Sequence, residues 1–283
     1  MLEDILTWSC IYSYTIASIL LLSGFVFNKE KLLKIASYIV VPAFAAHTVI
    51  FVMRWAATGY FPANSEFENA ITGGWFAIGF TVYLFIKNRA LTGVALFTVP
   101  ASLLLLGYGV MKSPDPLPLA ASLKSSWLVI HVLFAQLAFG AYAIASGMGL
   151  LYVLKDRRMS RDRMSMFYKK IPRLEVIEEN MFRFVVYGFI ADAIMIVAGA
   201  IWAKDLWGNY WGWDPVEVWS LISWLLYGLS IHLKVTLGWK GRRLAWLMIF
   251  LLITVIITYW GIDIVVENTR HIFGVTSMPD LMQ

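Results

Sequence analysis

Charge is scarce in this sequence. Asp, Glu, Lys and Arg make up 14% of the 283 residues, against 60% hydrophobic residues. A soluble domain carries about 25% charged residues, so a water-soluble fold is excluded, and a mean hydropathy of +0.70 points to an integral membrane protein. Cysteine is scarcer still. Cys10 is the single one and lies within an apolar run, so no internal disulfide can form and its expected role is packing. No Cys-x-x-Cys-His occurs, which excludes covalently attached c-type haem on this chain. A glycine-rich phosphate loop, a Ser/His/Asp set and paired carboxylates are also missing, so hydrolytic and nucleotide-driven chemistry have no support. Met1-Leu2-Glu3-Asp4 is no basic n-region and no small-residue cleavage site follows, so the first apolar run is expected to be a retained helix. Nor does the net charge of +5 argue for a nucleic-acid partner, because positive residues in such proteins mark cytoplasmic loops. There is no visible internal repeat and no low-complexity tract.

What the sequence does have is long apolar runs. A helix needs about 20 apolar residues to span a bilayer. Eight candidate runs cover 6–27, 35–57, 70–86, 91–111, 127–154, 181–203, 217–237 and 244–265. The expected architecture is an all-α integral membrane protein of about eight transmembrane helices, forming one polytopic domain over 1–283. Lys and Arg set its orientation. Loops 28–34, 87–90, 155–180 and 238–243, with Lys234, hold 17 of the 23 positive residues, and Arg54, Lys112, Lys124, Lys204 and Arg270 hold five on the other side. The basic loops, the 155–180 loop foremost, are therefore expected in the cytoplasm, and both termini on the extracytoplasmic side. Pro114, Pro116 and Pro118 make the outer connector 112–126 stiff and extended. Glu66 and Glu68 stand in another outer loop with Arg54 as their one basic neighbour.

Six of the 13 tryptophans fall within 202–224, WAKDLWGNYWGWDPVEVWSLISW. Its centre is too rich in Gly, Asn, Asp and Pro to stay helical, so it reads as an extracytoplasmic loop followed by the start of the next helix. Scattered tryptophans anchor a protein at the bilayer surface. Rings packed into one short loop with small residues between them suit a flat platform for a large planar ligand.

The four histidines lie at two depths. His131 is about four residues into the fifth run, about 6 Å below the surface at 1.5 Å per residue, and His271 follows the eighth. His47 and His232 are intramembrane, where ionisable residues are costly and usually face a cavity, a partner or a cofactor. Imidazole is a natural axial ligand for haem iron, so the outer pair beside the aromatic platform suggests one haem site. The inner pair suggests a second, or a station on the way. Four histidines with no cysteine or carboxylate at ligand spacing make a poor zinc set. Asp192 is also intramembrane and receives no role.

The stretch WGNYWGWDPVEVWSLISWLLYGLSIH resembles the tryptophan-rich "WWD" domain of haem-handling proteins. With His47 and Arg54, Pro62 before NSEFE, Trp127 with His131, then His232 and His271, nearly the whole chain is similar to the CcsA/ResC family of system II cytochrome c biogenesis. Gly261-Ile262-Asp263 and Thr269-Arg270-His271 depart from the family's usual pattern, and Val216 stands where lysine is common. The resemblance implies that His131 and His271 are axial ligands of an external haem b. That haem lies against Trp207, Trp211, Trp213 and Asp214, with Pro215 and Trp219 extending the contact set. It further implies that His47 and His232 serve a haem within the membrane. The implied activity is delivery of haem to the extracytoplasmic face and its presentation for thioether attachment to the Cys-x-x-Cys-His of apocytochrome c. The chain would then be the integral subunit of a holocytochrome c synthase. Implied partners are a CcsB/ResB-type subunit, apocytochrome c and thiol-reducing proteins, in a bacterial cytoplasmic membrane in preference to a thylakoid. Two rival readings stay open: a b-type electron-transfer protein using His47 and His232, and a transporter or assembly scaffold without haem.

Overall fold

The computed structural model describes residues 2–87, 93–112, 125–159 and 171–262. Eight helices follow in order: α1 (Leu2–Val26), α2 (Glu30–Thr58), α3 (Glu66–Lys87), α4 (Ala95–Val110), α5 (Ser126–Met159), α6 (Leu174–Trp207), α7 (Pro215–Val235) and α8 (Arg242–Ile256). The last continues as a π turn, Ile257–Gly261. No strand occurs among the described residues. Seven of these helices are long and apolar enough to cross a membrane, while α4 has 16 residues. The eight-run expectation is borne out, with ends that differ for identifiable reasons.

Helices outrun the apolar runs wherever polar end residues find partners. Three acidic residues, Glu175, Glu178 and Glu179, lie in the first two turns of α6, where carboxylates complement the helix dipole. Glu178 pairs with Lys234 and also accepts from the Gly241 N–H at 2.7 Å, so α6 starts at 174 and not at 181. Before α3, the Glu68 N–H donates to Ser65 Oγ at 3.2 Å and the Asn64 N–H donates to Glu68 Oε2 at 2.8 Å. This closed turn begins the helix four residues ahead of the apolar run.

Helix α5 is the axis of the bundle. It packs along α6 and also meets α3, α4 and α8. Its buried face is made of small residues, with Ala135, Ala138, Ala141, Ala143 and Ala145 interleaved with glycines. Small residues let membrane helices approach closely, since burial of apolar surface gives no drive in lipid and dispersion contacts must supply it. At Gly149 a Cβ would stand 2.7 Å from the Ala245 carbonyl oxygen, and at Gly140 the same distance from Phe80. The α1–α2 pair lies at the edge, with Ile16, Ile19, Val41 and Val52 exposed towards lipid. Arg54 is nonetheless buried there and pairs with Glu3 at 2.6 Å. Glu66, in turn, pairs with Lys112.

The α5–α8 contact at Gly149 is backbone against backbone, so it cannot be relieved by a rotamer change. Gly149→Ala is expected to destabilise the detergent-solubilised protein by about 1–3 kcal/mol. Gly107→Ala, where no atom lies within 4 Å, should not, and thermal unfolding of the two variants side by side checks this.

Candidate functional site

The tryptophan loop is held at both ends. Helix α6 stops at Trp207 because Gly208 takes the left-handed conformation, φ +78°, and returns its N–H to the Lys204 carbonyl at 3.0 Å, a turn that glycine makes without steric penalty. Six residues later Asp214 caps α7: the Val216 N–H donates to its Oδ1 at 2.9 Å, and Pro215 takes the first helical position. Glu217 completes a capping box, its Oε2 accepting from the N–H groups of Gly212 and Asp214 at 2.8 and 3.2 Å. Asp214 and Pro215, expected at the ligand, thus have a local task in the structure, which is to start α7 and fix the loop.

Held in this way, the loop displays its rings. Trp213 has φ +58° and is 74% exposed. A bulky residue at positive φ is strained, and here that strain turns the indole outward. Trp211 meets Trp213 edge to face at 6.0 Å, and Trp207 meets the buried Trp202 likewise at 5.2 Å. Tyr210 is exposed, with the Lys204 ammonium 5.7 Å from its ring centre.

Beneath the loop, between α5, α6, α7 and the π turn, lies a cavity of about 110 Å³, or about 890 Å³ of empty space when its open mouth is counted. Its walls include Tyr210 and Trp211 from the loop and His131 from α5. Trp207, Trp213 and Trp219 are not among its lining residues. The walls beside His131 are mainly small: Ala135, Gly199, Ala200 and Ala203 leave room for a flat ring to approach. His131 Nδ1 bonds the Met195 carbonyl at 2.9 Å. A carbonyl only accepts, so Nδ1 carries the proton and Nε2 carries the lone pair, the arrangement in which imidazoles commonly bind metal. Gly199 makes this possible, because a Cβ there would lie 2.6 Å from His131 Nδ1.

Several lining residues escape sequence reasoning. Asn69 and Gln136 are buried polar residues on the cavity wall, and Gln136 Nε2 donates to Asn69 Oδ1. The Gln136 Oε1 atom has no partner among the described residues. A lone amide in the otherwise apolar face of α5, five residues beyond His131, was the available signal. Thr258 and Tyr259 reach the wall from the π turn, a form often found at functional sites, and Tyr259 donates to the Ala135 carbonyl at 2.6 Å.

The structure does not bring His47 and His232 together. His47 is fully buried in α2, a helix that packs against α1 and α3. Its Nε2 bonds the Ile71 carbonyl at 3.1 Å, so the proton sits there, and its Nδ1 accepts from the Tyr14 hydroxyl at 3.3 Å. Both nitrogens are thus engaged by protein, which leaves no lone pair for iron in this arrangement. His232 faces outward from α7, its Nδ1 bonded to Thr236 Oγ1 at 3.2 Å. Hydropathy reports depth, not the direction in which a helix face points. His271 lies outside the described residues.

Residues 8–269 match the profile of the cytochrome C assembly protein family. Among curated proteins, the cytochrome c biogenesis protein CcsA of Guillardia theta is 29% identical over 246 residues, covering 80% of this chain and 81% of its own. CcsA of Synechococcus sp. (strain CC9311) is 27% identical over 267 residues, covering 84% and 87%. Among solved structures, the cytochrome c haem lyase CcmF superposes with a TM-score of 0.69 at 18% identity over 91% of this chain. The match takes in 46% of the CcmF chain, so the two share a fold and differ in extent. A match over 262 residues of the profile range, an all-helical membrane bundle and a tryptophan loop over a histidine-lined cavity agree: the chain belongs to the cytochrome c assembly protein family and serves in the maturation of c-type cytochromes.

Proposed function

We propose that the cavity under the tryptophan loop presents haem b to apocytochrome c. The observation that carries this is His131: its Nδ1 is tied to the Met195 carbonyl, and the residue lines the cavity together with Trp211 and Tyr210. His271 is proposed as the opposite axial ligand. Trp211 and Tyr210 support the ring, Trp207, Trp213 and Trp219 complete the aromatic surround, and Asp214 and Pro215 act by holding the loop. The chain's contribution is positioning. A cysteine thiol of Cys-x-x-Cys-His adds across a vinyl group, the S–H bond breaking as C–S and C–H bonds form, and holding the two reactants together supplies much of the rate.

The orientation follows from the basic loops, with the tryptophan loop and both termini outside and 155–180 in the cytoplasm of a bacterial inner membrane. A ResB/CcsB-type subunit is the proposed partner, with thiol-reducing proteins keeping the client cysteines available. His232, directed away from its own bundle, is proposed to serve a membrane haem whose second ligand comes from the partner. His47 is proposed as a packing residue. The electron-transfer alternative loses ground here, since its His47/His232 pair has no shared site.

Four outcomes are expected of the chain expressed with its partner. His131→Ala should abolish most c-type cytochrome maturation, with added imidazole restoring part of it, and normal maturation without imidazole would sink the ligand assignment. Gly199→Ala should lower bound haem several-fold and alter its low-spin spectrum, because the His131 ring must move. His47→Ala should reduce the amount of folded protein yet keep the haem spectrum of what remains, whereas His232→Ala should remove a distinct haem fraction.

A further inference from the structure

Asp192 sits in the middle of α6 and is 4% exposed. An unpaired buried carboxylate is among the costliest groups in a membrane protein. Around it stand three phenols, from Tyr142 on α5, Tyr227 on α7 and Tyr259 in the π turn. Tyr142 donates to its Oδ2 at 3.2 Å, and Tyr227 stacks on Tyr142 at 3.6 Å. Among the described residues no Lys, Arg or His pairs with it. Glu217, an acid on the wall of the large cavity, is occupied by the loop N–H groups. Among the described residues Asp192 therefore lacks a positive partner.

Its surroundings lead directly to the haem-presenting cavity. A small cavity of about 10 Å³ is lined by Asp192, Tyr142, Ser220, Ser223 and Thr258. Met195, Ser220, Thr258 and Tyr259 are walls of both this small cavity and the large one. Ser223 and Thr258 share a hydrogen bond at 3.3 Å, while Ser220 donates to the Glu217 carbonyl and Thr258 Oγ1 also lies 2.9 Å from the Thr254 carbonyl, so the wall that joins the two cavities is polar. Asp192 is also one turn, about 4.5 Å along the axis, from Met195, whose carbonyl holds His131.

We propose that Asp192 is the charge partner of haem in the large cavity: ionised when the haem is ferric, protonated when it is ferrous or absent. This rests on the haem-presenting reading above. A ferric porphyrin with two neutral imidazoles carries one positive charge at its centre, and a ferrous one carries none. Reduction by an external dithiol, two haems for each disulfide formed, removes that charge. Asp192 then takes up one proton from the side of the large cavity, with which its own small cavity shares walls, and on reoxidation it gives the proton back. Asp192 is thus a positioning residue for charge, acting on the iron without touching it.

The test is spectroelectrochemistry of the partner complex, following the haem fraction that His131→Ala removes, at several pH values. In the wild type the ferrous-to-ferric ratio at fixed applied potential should fall by about threefold per pH unit, and about tenfold in all, over the window in which Asp192 titrates. Asp192→Asn should flatten that dependence. At high pH it should raise the ratio roughly tenfold, the effect of one charge at about 12 Å in a medium of ε about 20. Asp192→Glu should restore the slope. Should the Asn variant not accumulate, Tyr142→Phe decides instead, since loss of the phenol that stabilises the carboxylate should move the titrating window to higher pH. Matching slopes in wild type and Asn variant, or an unmoved window in Tyr142→Phe, would overturn the proposal while leaving the haem site intact. If the wild-type complex has no haem fraction sensitive to His131, the haem-presenting reading itself fails.

Discussion

The site depends on one hydrogen bond between helices, from His131 Nδ1 on α5 to the Met195 carbonyl on α6. In lipid an imidazole N–H without an acceptor is expensive, and a carbonyl inside a helix is normally occupied by the N–H four residues on. The contact forms because α5 and α6 run close together along most of their length and Gly199 presents no side chain to the ring. The small residues on the α5 face serve the same end. Packing of the bundle and orientation of the ligand nitrogen are therefore one constraint.

A second constraint acts on the loop. Seven residues, 208–214, between two long helices could sample many conformations, and ordering them at the moment of ligand binding would weaken affinity. Here the ordering is built in. Gly208 ends one helix, while Asp214, Pro215 and Glu217 begin the next. Trp213 at positive φ is tolerated because those caps on both sides over-determine the backbone. Asp214 and Glu217 thus hold the backbone of the loop and leave its rings on display.

Buried polar groups occur throughout the bundle, and one set of them is shared by the two cavities. Asn69 and Gln136 stand on the wall of the large one, Tyr142, Ser223 and Asp192 on that of the small one, and Ser220 and Thr258 on both. Farther away, His47 is bonded between Tyr14 and Ile71, and Arg54 pairs with Glu3.

The sequence by itself determined the class, the eight helices and the position of the tryptophan loop. These are local or additive properties: hydropathy summed along a run, and Gly, Asn, Asp and Pro interrupting it. The place of His131 beside that loop was legible too, because it falls in the first turns of a run that starts at the loop's end of the bundle. Helix ends were less legible, since Glu178 and Ser65 extend α6 and α3 through partners distant in sequence or outside the apolar run. The faces of the helices were decided only by tertiary structure. His47 and His232 have similar apolar neighbours in sequence, yet one is enclosed with both nitrogens bonded and the other points away from the bundle. Gln136, Gly199, Thr258 and Tyr259 gain meaning only where α5, α6 and the π turn meet. Hydropathy measures how deep a residue lies, but the direction in which it points is set by how helices rotate to bury their small residues against one another.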